Sequence, residues 1–224
     1  HGVPKDMLTI ELGDVYPELK SLRLRGRVVG NKVLPYWNRA QFGEHAEQAQ
    51  APVLLWADDP IELFFLQVQG SGRVQLADGK TVRIGYADQN GHPYQSIGRW
   101  LVAQGELPLE QASMDGIKRW AEANPHRLNE LLNANPSYVF FRELPASNTG
   151  PVGALGVPLS AGRSIAVDPR HVPLGAPVFL STTHPLSATP LQRLMLAQDT
   201  GGAIKGVVRA DFFWGFGAEA GREA

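Results

Sequence analysis

The chain has 224 residues, 43% hydrophobic and 19% charged, the balance of an ordinary globular protein with one large core or two modest ones. Its 21 lysines and arginines nearly cancel its 22 aspartates and glutamates. No basic run interleaves with aromatics, so the footprint of a nucleic-acid binder is missing. The absence of cysteine excludes disulfides, thiolate catalysis and cysteine-ligated zinc.

In chain order, the first forty residues read as short strands. Apolar and β-branched alternation in Leu24–Gly30 and a Gly30-Asn31 turn predict a hairpin. Glu44 to Ala51 is a short polar helix candidate, and Pro60 to Leu66 is a dense apolar stretch whose periodicity fits a helix or a buried strand equally. A second hairpin is clearer: Gly72–Leu76 alternates, Asp78-Gly79 turns, and Thr81–Tyr86 alternates again. Helices follow, from Ser96 to Gln104 with Gly105 as the stop, from a Ser113 cap through Ala123, and from Pro125 to Asn133.

The Gly-, Pro- and Ser-rich passage from Pro145 to Gly162 predicts a domain boundary. Beyond it, strands are expected at Ser164–Val167, Pro177–Leu180 and Leu194–Ala197, while Ala218 to Ala224 show no strand or closing element. No apolar stretch nears the roughly 20 residues that span a bilayer, and the N-terminus shows no signal pattern. Because the sequence starts at His1, a leader or lipid anchor is still compatible with it upstream.

Three aspartates carry the chemical argument. Asp168 ends an apolar strand and precedes Pro169, Asp199 ends another and runs into Thr200-Gly201-Gly202, and Asp211 precedes Phe212-Phe213-Trp214. A carboxylate at the end of a buried strand is costly unless it is hydrogen-bonded or used. Each taken alone is most simply a turn cap.

With their flanks they say more. The segments Ala166-Val167-Asp168-Pro169, Pro173-Leu174-Gly175, Ala197 to Gly206 and Arg209 to Gly217 together resemble the three-aspartate domain of the membrane-bound lytic murein transglycosylase A family. Phe65 to Gly72, Gly85 to Tyr94 and Asn135 to Phe141 are similar to that family's other characteristic segments, so the resemblance covers nearly the whole chain. It implies a mainly β fold with a few helices: a double-psi β-barrel carrying the aspartates, a smaller inserted β domain, and a glycan groove between them. On this pattern residues 1–145 are mostly the inserted domain, with a helical segment at 96–134, and 146–224 belong to the barrel.

The family's Thr-Gly-Tyr-Tyr-Glu-Pro segment, from the first part of the barrel, does not occur in this sequence. The chain is therefore expected to be a fragment with an incomplete barrel and exposed sheet edges. Alone it should aggregate or bind a hydrophobic dye, and a sharp cooperative melt with monomeric elution would refute that.

The resemblance further implies a lytic exotransglycosylase, a carbon–oxygen lyase that cuts peptidoglycan glycan strands without water. Its implied setting is a monomer at the periplasmic face of the bacterial envelope, reached through a lipid anchor on the outer membrane. By position Asp211 matches the family's catalytic acid, and the aromatic flank would desolvate it and favour the protonated form. Asp199 is the second catalytic candidate, with Thr200, Gly201 and Gly202 offering amides to the sugar, and Asp168 is read as structural.

Gln69, Ser71, Asn90, Tyr94, Tyr138 and Phe141 are candidate substrate-binding residues, able to supply hydrogen bonds and stacking faces. Ordinary turn and core roles compete for the same side chains. Six histidines, at 1, 45, 92, 126, 171 and 184, have no ligand spacing, so no metal or other cofactor is expected. Three rivals remain: an aspartic protease using Asp199-Thr200-Gly201, a non-catalytic wall-binding module resembling expansins, and a true hydrolase with a second carboxylate to activate water.

Overall fold

A computed structural model describes residues 1–145, 150–185 and 187–215. Phe216 and Gly217 of the aromatic flank, and the Ala218–Ala224 end, lie outside the described residues. The chain is mainly β with a few helices and divides into two compact units, His1–Leu144 and Pro145–Ala224.

The first unit opens with β1 (Leu8–Thr9), β2 (Arg25–Val29) and β3 (Lys32–Pro35), an antiparallel sheet in that order. The expected hairpin is β2–β3, and β1 adds a third strand too short to be read from alternation. Helix α1 spans Arg39–His45 rather than Glu44–Ala51. The signal is a capping box: the Asn38 side chain accepts from Gln41 N–H while the Gln41 side chain takes the Asn38 N–H. Phe42 on α1 and Ala49 after it are buried with Tyr36 and Phe140 in one small core.

The ambiguous stretch is a helix, α2 (Pro60–Gln69). Local chemistry decides it, since Asp59 Oδ1 accepts from the N–H groups of Ile61 and Glu62, Pro60 fills the first turn, and Gly70 at φ +80° closes the end. Strands β4 (Ser71–Gln75) and β5 (Thr81–Gln89) form the second hairpin, and β6 (Val139–Leu144) extends it into an antiparallel sheet of order β4-β5-β6.

Helices α3 (Ile97–Ala103), α4 (Met114–Ala123) and α5 (Leu128–Asn133) follow between β5 and β6. Ser96 and Ser113 cap the first two, and a 3-10 turn at Pro125–Arg127 leads into the third. Their apolar faces close on α2, burying Phe64, Leu101, Ile117, Trp120 and Leu131.

A buried polar brace ties these pieces together. Arg39 donates to the carbonyls of Asn135 and Ser137 and to Gln67 Oε1 at 2.7–3.1 Å, and Gln67 passes the link on to the carbonyl of Val139. The guanidinium also lies over the rings of Phe64 and Tyr138. Burial pulls its pKa down to about 10.

The second unit is a four-stranded mixed sheet of β7 (Ser164–Val167), β8 (Pro177–Thr183), β9 (Pro190–Asp199) and β10 (Ala210–Phe212), in the order β10-β7-β9-β8. β7 and β9 are parallel, and the other two pairs are antiparallel. Ile165, Val167, Met195 and Ala197 make one face a core, against which Val178, Leu180 and Phe212 pack. On the other face Phe179 stands opposite Leu194 and Pro177 opposite Leu196, with the phenylalanine and both leucines exposed.

Candidate active site

The register of the second unit organises the aspartates. Asp211 on β10 pairs with Ala166 on β7, and Ala166 pairs with Asp199 on β9 across a register irregularity. Two strand spacings of about 4.8 Å put the backbones of the two aspartates about 10 Å apart with Ala166 between them. Residues opposite each other in a ladder share a face. Since Ser164 pairs with Leu196, the face bearing Ala166 and Asp211 is the one that leaves Leu196 exposed.

Asp199 is partly buried and its carboxylate accepts from the N–H of Ala154 at 2.9 Å. That amide comes from a tight turn over residues 152–158, which lies against the end of β9. The approach is so close that a Cβ on Gly153 would sit 2.4 Å from the Gln198 carbonyl oxygen. Burial pushes the Asp199 carboxyl up from its ordinary value, and the amides of Ala154 and Thr200 only partly offset that.

The folded state thus disfavours the charged form of Asp199. The penalty is absent below the unfolded pKa of about 3.9 and grows as pH rises above it. Asp199→Asn is therefore expected to raise Tm near pH 7 by about 2 °C or more and to leave it unchanged near pH 3, as read by calorimetry.

Thr200, Gly201 and Gly202 start the loop from β9 toward β10, and Asp168 fixes that loop's far end. The Asp168 side chain, in a residue 1% exposed, accepts from the Arg170 side chain at 3.0 and 2.6 Å, from Arg170 N–H at 3.2 Å and from Gly206 N–H at 2.9 Å. The Arg170 fork, followed by the Gly206 amide, holds its carboxyl well below the usual carboxylate range.

Such a group stabilises the fold at all pH values above about 4, and its contribution is lost as pH falls through the depressed native value. Asp168→Asn should accordingly melt several degrees below the parent at pH 7. The gap in Tm should close on acidification below about pH 4, and a gap independent of pH would refute the clamp.

Asp211 is less enclosed than its aromatic neighbours suggest. Its side chain is 49% exposed and paired with Arg209 through Nε at 3.1 Å and Nη2 at 3.4 Å. The rings of Phe212 and Trp214 pack on each other, 4.3 Å apart, and Phe212 packs against the core face of the sheet. A cavity of about 320 Å³ lies beside Phe212, Trp214 and Leu180 and includes neither Asp199 nor Asp211.

The remaining candidates are in the first unit. Gln69 is exposed at the end of α2, with Ser71 two residues on, opposite Gly85. Tyr94 is partly buried between β5 and α3.

Two of the other assignments need correction and a third is narrowed. Asn90 is 0% exposed: its amide donates to the carbonyls of Trp37 and Pro136 and its oxygen accepts from the N–H groups of Tyr138 and His92. No capacity is left for a sugar. Phe141 is 4% exposed and so is not a stacking platform. Tyr138 packs on Phe42 and Phe140 with Arg39 over its ring, a core placement.

Sequence reasoning missed Ala154, Gly206 and Arg209 around the aspartates. Of these only Arg209 carried a signal, as a cation two residues from Asp211, the spacing of same-face neighbours on a strand. Among the described residues, no group of three or more His, Asp or Glu side chains could hold a metal ion, and no helix is long and apolar enough to cross a membrane.

Both halves of the chain match one kind of protein. A family model described as the MltA specific insert domain matches residues 1–142, and one described as the 3D domain matches residues 163–224. Membrane-bound lytic murein transglycosylase A of Escherichia coli (strain K12) is 37% identical over 179 residues, which cover 77% of this chain and 48% of that protein.

Among solved structures, MltA from Neisseria gonorrhoeae is 53% identical over 90% of this chain and 52% of its own, with a TM-score of 0.77. E. coli MltA with bound chitohexaose is 34% identical over 85% and 58%, with a TM-score of 0.73. The chain belongs to the MltA family. It spans about half the length of the curated relatives it matches.

Proposed function

We propose that the protein to which this chain belongs is a lytic transglycosylase of the bacterial envelope. It cleaves the β-1,4 bond between N-acetylmuramic acid and N-acetylglucosamine in peptidoglycan, without water, and leaves 1,6-anhydromuramic acid ends. The observation that carries this reading is the row Asp211–Ala166–Asp199 across three neighbouring strands. The names of the relatives and the chitohexaose in the E. coli structure support a glycan substrate.

Asp211 acts first as acid. Its carboxyl proton passes to the glycosidic oxygen as the C1–O bond breaks and N-acetylglucosamine leaves. The muramic acid's own C6 hydroxyl oxygen then bonds to C1, and its proton returns to Asp211, so one residue serves both steps. Such intramolecular capture has an effective molarity of about 10⁵ M or more when aligned. To donate, Asp211 exchanges its Arg209 contacts for the glycan oxygen. Asp199 supports the developing cation across the row, and Thr200, Gly201 and Gly202 present backbone amides beside it.

In fold terms the second unit is proposed as part of a double-psi barrel into which the first unit is inserted, in a monomeric, lipid-anchored protein. The exposed Phe179, Leu194 and Leu196 support an incomplete barrel in this chain, because an apolar sheet face is normally covered.

Mass spectrometry of the soluble products from purified sacculi tests the reaction. Fragments one water lighter than hydrolysis products support it, whereas reducing-end muramic acid would make the protein a hydrolase.

A further inference from the structure

The two kinds of β-1,4 bond in a murein strand offer an enzyme nearly the same chemistry. N-acetylmuramic acid and N-acetylglucosamine both carry an acetamido group at C2 and a free C6 hydroxyl, so capture by that hydroxyl would serve either sugar. They differ at C3, where muramic acid alone bears a lactyl ether ending in a carboxyl. A site that cuts only the muramic bond therefore needs a group beside the acid that reads the C3 substituent. Resting on the proposed function and on Asp211 as its acid, we propose that Arg209 is this specificity-determining residue. It takes the lactyl carboxylate of the muramic acid whose C1 bond breaks.

The geometry of the empty site points to this role. Arg209 lies two residues before Asp211, and its Nε and Nη2 face Oδ1 and Oδ2 of the carboxylate at 3.1 and 3.4 Å. One edge of the guanidinium is thus aimed where the glycosidic oxygen has to arrive. Both side chains are half-exposed, and an ion pair so open to water is weak and exchanges readily. Val207 and Val208 just before it are exposed, so a sugar reaches the guanidinium from solvent.

Proton donation breaks this pair. A protonated Asp211 turned to the glycosidic oxygen no longer balances the guanidinium, which stays charged at any working pH. Among the described residues of the second unit the other carboxylates are Asp168 and Asp199, and neither is free to replace it. Asp168 is held by Arg170 and by Gly206 N–H. Asp199 lies beyond Ala166, two strands from Asp211, and holds Ala154 N–H.

The substrate itself can bring the anion. The lactyl group hangs two ring carbons from the C1 under attack, within side-chain reach of Asp211 once the bond is in place. A guanidinium edge takes a carboxylate through two parallel N–H bonds. N-acetylglucosamine presents only a hydroxyl there and would leave the cation unmatched, and an unpaired polar group is how a site rejects an analogue. Where a wall peptide is attached, the same carboxyl is an amide, whose carbonyl still accepts but carries no charge. Peptide-free muramic acid should therefore be preferred.

The test compares N-acetylmuramic acid, its lactyl methylamide and N-acetylglucosamine, which share every group except the C3 substituent and contain no β-1,4 bond to cut. In the ¹⁵N-labelled whole chain the Arg209 Nε–H resonance is assigned by its loss in Arg209→Lys. It should respond to N-acetylmuramic acid with an affinity at least about tenfold above that for the methylamide, and stay in place with N-acetylglucosamine. In the variants, binding is read from the backbone amides of Thr200 to Gly202. Arg209→Gln should bind the three sugars alike, and Arg209→Lys, which keeps the charge but not the planar edge, should keep part of the preference.

A purely structural Arg209 would weaken all three sugars together. Equal responses in the parent, a preference that survives in Arg209→Gln, or no response to any of the sugars would overturn the assignment. The readout needs no cleavage. A muramic preference lost in Arg209→Gln, without anhydro-ended fragments from sacculi, would sink the proposed reaction and leave this recognition standing. Release of such fragments by a parent whose preference survives in Arg209→Gln would do the reverse.

Discussion

Asp211→Asn is expected to lower the release of anhydro-ended fragments from sacculi by about 10³-fold or more, since a positioned general acid–base contributes about 10²–10⁴ and here one group serves both proton transfers. The variant should fold as well as the parent. The Asp211 side chain is half exposed and its hydrogen bonds are those from Arg209 on the same surface, so the change in stability should stay within about 0.5 kcal/mol. Sedimentation of the variant with insoluble sacculi should be unchanged, because an amide keeps the shape and acceptor oxygen of the acid. Normal melting and normal binding with release within tenfold of the parent would move the acid role away from Asp211. A variant that binds normally while the parent itself releases nothing would favour the wall-binding module.

The sequence was most informative where local chemistry and tertiary packing agree. Asp78-Gly79 turns the second hairpin and Ser113 caps a helix that ends at Ala123, both features that a few adjacent residues determine. Pro60 to Leu66 was undecidable by periodicity, yet Asp59, Pro60 and Gly70 carried the helix signal at its ends. Strand β10 has three residues, too few for alternation to register, and only its pairing with β7 brings Asp211 level with Ala166. The row of aspartates therefore depends on strand order, which no local pattern encodes. Aromatic residues next to an acid in sequence likewise point to the other side of a strand, which is why Phe212 packs in the core while Asp211 faces solvent.

Asn90 shows how the same residue type reads two ways. An asparagine in an Asn-Gly-His turn looks like a sugar ligand or a turn former, but burial converts it into a brace between the segments at Trp37, Pro136 and Tyr138. Asn90→Ala would strand the Trp37 carbonyl and the Tyr138 amide in a site with no access to solvent, while the Pro136 carbonyl keeps the Arg39 N–H. At about 1–3 kcal/mol for each group left unsatisfied, the expected loss is about 2 kcal/mol or more.

For a chain of this size each kcal/mol moves Tm by about 2–4 °C, so a fall of about 4 °C or more should appear in calorimetry. Asn129→Ala, on the exposed side of α5, should stay within about 0.5 kcal/mol of the parent. If Asn90→Ala instead melts like the parent but releases fewer fragments, Asn90 touches the glycan after all, and the brace has been misread.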